Sequence, residues 1–144
     1  MAGLRSNGTS NIFCTTDPTD LSWLYLPGPE TRAHRIIYTG NFSPDNNAPG
    51  GRSTCVVEFS GYVDAHEMQR DIRQLPGNLE PLAHHHEANS YVIQDAGTRA
   101  KNRELRSVLQ NTGFDISGRF AEWEYYNMDT AIGAVNALQR RLQK

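Results

Sequence analysis

Tyr125-Tyr126-Asn127-Met128-Asp129 puts two phenols, an amide and a carboxylate directly ahead of a helical pattern, and Gly118-Arg119-Phe120-Ala121-Glu122-Trp123-Glu124 leads into it. Hydrogen-bonding groups at this density suit the holding of an anionic ligand. The planar fork of Arg119 matches a phosphate. It would equally suit the carboxylates of Glu122 or Glu124. Asn127 or Asp129 can cap the helix, because a short oxygen-bearing side chain accepts from the first free backbone N–H groups. Those N–H groups can also hold an anion or a developing negative charge.

The elements around this stretch follow from the apolar spacing. Ile132, Val135, Leu138 and Leu142 recur at near-helical intervals and predict a terminal helix with one apolar face. A short β-like run over 115–118 leads in. A helix is expected over 99–111, with Leu105, Val108 and Leu109 facing inward and Gly113 as its left-handed stop. Another is expected over 64–75, capped by Asp64 and Glu67, with Met68, Ile72 and Leu75 as its stripe and Pro76-Gly77 as its end. Strands are expected over 9–15, 21–26, 33–39, 53–60 and 89–94. The run 21–26 alternates Trp23 and Tyr25 against Leu24 and Leu26, which suits partial cover on both faces. Residues 40–52 read as a long loop.

The order β-β-β-β-α-β-α-β-α predicts an α+β fold: an antiparallel sheet with about three helices. Residues 1–8 read as a loose N-terminus and 9–144 as one domain.

Bulk properties narrow the function classes. The 144 residues carry a net charge of -2 with a pI near 6.2, so no broad basic field for nucleic acid exists. Mean hydropathy is -0.61, and no apolar run approaches the roughly 20 residues of a membrane span. The first ten residues lack a signal-peptide core, so a cytoplasmic location is the default expectation. Cys14 and Cys55 lie far apart and outside any CxxC pattern. They read as small buried residues rather than a disulfide or redox pair. His84-His85-His86 with Glu87 invites a metal reading. Consecutive residues of an extended chain point alternately, so an exposed polar loop is the expectation and no metal ligand is assigned.

Gly-Arg-Phe-Ala-Glu-Trp-Glu-Tyr-Tyr-Asn-Met-Asp over 118–129 resembles the C-terminal signature of UDP-galactopyranose mutases and of protoporphyrinogen-oxidase-like flavoproteins in the amine oxidase superfamily. The likeness extends to Tyr91-Val92-Ile93-Gln94-Asp95, to Lys101 through Leu105, to Leu21 through Tyr25, and to Arg35 through Pro44. It covers most of residues 12–140 in the family's order.

The resemblance implies a substrate-domain-like part over 9–95 and a flavin-contacting segment over 96–144. Gly118, Arg119, Asn127, Met128, Asp129 and Thr130 would then face FAD. Arg35, Tyr91 and Tyr125 would face a substrate diphosphate. No catalytic residue is assigned, and whether this chain catalyses alone stays open. Mutases usually have Asp where this chain has Asn127, and a Lys/His-rich stretch where it has Tyr38 through Pro44. Another substrate is therefore expected.

Family members carry an N-terminal dinucleotide fold with a Gly-x-Gly-x-x-Gly turn, where the backbone approaches the FAD pyrophosphate. No such turn occurs here. The chain is expected to correspond to the C-terminal third of such a protein, to hold FAD weakly or not at all, and to need a separate FAD-binding Rossmann domain as partner. The alternatives are a non-catalytic nucleotide-sugar-binding module and a self-associating interaction module. In the last, the apolar face of the terminal helix would drive homo-oligomer formation.

Overall fold

The computed structural model describes residues 3–47 and 50–143. Five strands form one sheet: β1 (Arg5–Thr16), β2 (Trp23–Tyr25), β3 (Ala33–Ile37), β4 (Ser53–Ser60) and β5 (Glu80–Ile93), in the order β2-β3-β4-β1-β5. The pairs β1/β4, β2/β3 and β3/β4 are antiparallel. Three α-helices complete the chain: α1 (Ala65–Ile72), α2 (Thr98–Asn111) and α3 (Met128–Leu142). The α+β fold with an antiparallel sheet and three helices is the one expected. The chain divides into two compact units, Asn7–Ser90 and Met1–Ser6 with Tyr91–Lys144.

The first unit is built by strand alternation. Ile12 sits opposite Val57 and Cys14 opposite Cys55, and Ile36 also pairs with Val57. These side chains share one sheet face, since successive residues of a strand point to opposite sides. With Phe59, and with Met68 and Ile72 of α1, they form the buried core. Each fully buried aliphatic or aromatic side chain there contributes about 1.5–3 kcal/mol from its removal from water. Asp64 caps α1 as its sequence predicts, accepting from the Glu67 amide at 3.0 Å. On the opposite sheet face, Trp23 and Tyr25 of β2 are more than half exposed, not partly covered on both sides as their alternation suggested.

Several boundaries moved. β1 begins at Arg5, inside the stretch expected to be loose. The expected loop after β3 contains two short 3-10 turns, Thr39–Asn41 and Pro44–Asn46; positions 48 and 49 of that loop lie outside the described residues. The largest change is β5. It was expected only over 89–94, yet it runs from Glu80 and includes His84, His85, His86 and Glu87. Those residues are exposed. An edge strand held by backbone pairing needs no apolar period, and polar edge side chains discourage further strand addition. At Gly8 of β1 a Cβ would lie 2.7 Å from the Glu87 carbonyl oxygen, so glycine permits the close approach of β5.

The predicted run over 115–118 is irregular rather than a strand. α2 ends as foreseen, with Gly113 at a φ of 87°. Its expected inward face does not hold: Leu105, Val108 and Leu109 are exposed, while Thr98 and Asn102 are buried. Among the described residues, no helix is long and apolar enough to cross a membrane.

Candidate functional site

The segment between α2 and α3 is organised by Glu122. Its backbone amide donates to the Gly118 carbonyl at 2.8 Å, closing a tight turn with Gly118 at a φ of 113°. Its side chain is buried, accepts from the Gly118 amide at 3.3 Å and pairs with Arg106 Nη2 at 3.0 Å. Its carbonyl accepts from the Asn102 side chain, which explains why a polar residue of α2 is buried. The Tyr126 hydroxyl is pushed above the usual phenol range, first by burial and then by the negative charge of Glu122. Glu124 is also occupied: Gln94 Nε2 donates to it at 2.8 Å and Arg99 lies 3.4 Å away.

With both nearby carboxylates taken by other partners, Arg119 is left for the aromatics. Its guanidinium carbon lies 4.4 Å from the Tyr125 ring centroid and 5.0 Å from that of Tyr91. The two rings are stacked, 5.8 Å apart and 10° from parallel. A guanidinium at such distances is attracted to the negative ring faces by about 0.5–2 kcal/mol, depending on desolvation. Arg119 Nε and Nη2 are shielded from solvent and meet no acceptor among the described residues. Their cover comes with the guanidinium lying against the Tyr91 and Tyr125 rings. The alternative in which Arg119 supports Glu122 or Glu124 is therefore not what the fold adopts.

Tyr125 is more than half exposed and Met128 is 86% exposed, so the bend opens to solvent. Asn127 occupies the N-cap position of α3, but its side chain makes no cap hydrogen bond. The first-turn amides of Met128, Asp129 and Thr130 thus keep their donor capacity. The apolar stripe expected on α3 is present and largely uncovered: Ile132, Val135 and Leu142 are exposed, and Leu138 is half-buried.

A cleft of about 250 Å³ beside Glu122 is lined by Arg106, Ser117, Tyr126, Leu138 and Arg141, among others. Arg106 is paired with Glu122 and Arg141 with Asp115, so each positive charge in it is compensated.

Tyr91, Arg119 and Tyr125 come together in one unit, with Gly118 in the turn and Asn127, Met128, Asp129 and Thr130 at the helix start. Arg35 belongs to the other unit. There its Nη2 donates to both carboxylate oxygens of Glu58, at 2.8 and 3.0 Å, and His34 Nε2 meets the same carboxylate at 2.7 Å. Glu58, buried on β4 and directly opposite Arg35 in register, escaped sequence reasoning. So did Glu122. In both cases the only sequence signal was an acidic residue between apolar or aromatic neighbours.

No protein-family model and no curated protein matches the chain in sequence. Solved structures do match. A reduced UDP-galactopyranose mutase aligns with a TM-score of 0.70 at 20% identity, over 85% of this chain. The chain shares its fold with part of that mutase. A protein described as a protoporphyrinogen oxidase, from Exiguobacterium sp. 255-15, aligns with a TM-score of 0.56 at 12% identity, over 81% of this chain. The chain spans 30% of the length of each.

Proposed function

We propose that this chain supplies the ligand-facing segment of an FAD-dependent oxidoreductase or nucleotide-sugar mutase. The observation that carries the reading is the Arg119 guanidinium held against the stacked Tyr91 and Tyr125 rings, with Tyr125 more than half exposed at the bend. A guanidinium steadied by two rings loses little further freedom on meeting an anionic oxygen, and its planar fork suits a diphosphate. Tyr125 adds a side chain more than half exposed at the same bend. Arg35, already bidentate to Glu58, would act on a substrate diphosphate only through its other donors or by exchanging that partner.

FAD fits the donors present, although the sequence has no pyrophosphate cradle. The uncapped start of α3 offers the Met128, Asp129 and Thr130 amides to an electron-rich ring edge, with Gly118 and Arg119 nearby in the chain. When bound, the flavin would supply the electron-transfer or nucleophilic chemistry. The chain's own residues would orient it and place charge against it. A Rossmann-type FAD-binding segment is the partner that would hold it.

The test is a titration of the 144-residue chain with UDP and UDP-galactose, followed by tryptophan fluorescence; Trp123 packs edge-on against Phe120 within the same turn. Saturable quenching is expected, weakened roughly ten-fold or more in Arg119→Ala by loss of charge-assisted hydrogen bonds. A titration unaffected by Arg119→Ala would remove the assignment. Without a Rossmann-type partner the purified chain should be colourless, and a yellow, FAD-saturated preparation would contradict the division of labour.

A second reading rests on the exposed stripe of α3: Met128, Ile132, Val135 and Leu142 present an uncovered apolar face. A self-associating module would cover it with a second copy. Sedimentation distinguishes the two, since a monomer at high concentration that still binds UDP supports only the first.

A further inference from the structure

Cys14 and Cys55 are distant in sequence, yet the β1–β4 register makes them direct partners. Opposed residues of an antiparallel pair have Cα atoms about 4.5 or 5.5 Å apart. Both values fall inside the roughly 4.4–6.8 Å that a disulfide spans. Strand alternation sends both side chains to the covered sheet face, beside Ile12 and Val57. Both thiols are free and buried. We infer that Cys14 and Cys55 are a redox-active dithiol, converted by a hydroperoxide into a reversible intrachain disulfide that ties β1 to β4.

The local chemistry favours a defined order of events. The neighbouring Cys55, and then burial, raise the Cys14 thiol above its usual range; the neighbouring Cys14 lowers that of Cys55, against the opposing effect of burial. Either sulfur can attack as its thiolate; the positive charge of Arg52 favours Cys55. Its sulfur forms a bond to one peroxide oxygen as the O–O bond breaks, and the departing hydroxide is protonated to water. Cys14 sulfur then attacks the resulting sulfenic acid. The S–S bond forms, the S–O bond breaks, and the second hydroxide leaves as water with the Cys14 proton. Two thiols and one hydrogen peroxide give one disulfide and two waters, the thiols losing two electrons. Hydrogen peroxide, close to water in size, is the oxidant best suited to a buried pair.

The experiment treats the native chain with hydrogen peroxide, then unfolds and alkylates it for intact-mass analysis. Met128, 86% exposed, reports the oxidant dose as its sulfoxide. The expected result is joint loss of both alkylatable thiols, a mass lower by two hydrogens at the cysteines, and full return with dithiothreitol. Cys14→Ser should instead accumulate oxygen on Cys55. The conclusion is overturned if the wild-type cysteines take up oxygen independently. It is equally overturned if both remain alkylatable after Met128 is fully oxidised. The wild-type measurement decides even where the serine variant folds poorly.

Discussion

In the unit Asn7–Ser90, Ile12, Ile36, Val57, Phe59, Met68 and Ile72 are at most 1% exposed, whereas in the unit holding α2 and α3 Val108, Ile132, Val135 and Leu142 are all more than half exposed. The first unit closes an apolar core between a sheet face and α1. The second buries mostly polar groups: Thr98, Asn102 and Glu122, each with a hydrogen-bonding partner. Stability in the first therefore comes from surface removed from water. In the second it rests more heavily on a few satisfied polar anchors, with apolar surface left uncovered. The candidate ligand site lies in the second unit, at its solvent-open bend.

The contrast should be visible in melting experiments. Phe59→Ala removes a fully buried ring and should lower stability by about 3–5 kcal/mol, read from urea unfolding. A loss below 1 kcal/mol would mean that the sheet face is not the principal core. Glu122→Ala should cost about 3 kcal/mol, since it strands Arg106 and opens the Gly118 turn. It should also disturb the Trp123 emission. An effect on stability without any change at Trp123 would detach Glu122 from the site it is said to organise.

A smaller effect should appear in alkali. The folded-state pKa of Tyr126 is raised, chiefly by burial, so the phenol binds its proton more tightly in the folded chain than in the unfolded one. The stabilisation is complete below the ordinary tyrosine value of about 10 and is lost as pH rises through the folded value. Melts across that range should fall less steeply for Tyr126→Phe than for wild type, and parallel curves would refute the linkage. Smallest of all should be Ile132→Ser on α3. Within about 0.5 kcal/mol of wild type is expected, because the side chain is already in water. A large loss would show that this face is covered in solution, and would favour the self-associating reading.

Much of the strand unit was legible because burial there leaves a period. Cys55, Val57 and Phe59 alternate, and β4 occupies the residues predicted for it. The Asp64 cap was legible because it is a local bond between near neighbours. β5 was obscured because its pairing runs through backbone groups while His84 through Glu87 stay wet. Leu105, Val108 and Leu109 misled for the opposite reason. Helical spacing identifies an apolar face but not whether anything covers it. At the site, the aromatic bend and Arg119 stood out by composition. The partner of Arg119 did not, because Glu122 and Glu124 are sequence neighbours that the fold assigns to Arg106 and Arg99 instead.

Sequence alone determined the fold class, the position of α3 and the dense group of hydrogen-bonding side chains ahead of it, because spacing, caps and residue types act over a few neighbours. Tertiary structure decided which groups meet: Tyr91 with Tyr125 and Arg119, Arg35 with Glu58, Cys14 with Cys55. Such pairings depend on strand register and on the packing of distant segments. A one-residue slip in β1 would turn Cys14 to the opposite sheet face with its local sequence unchanged.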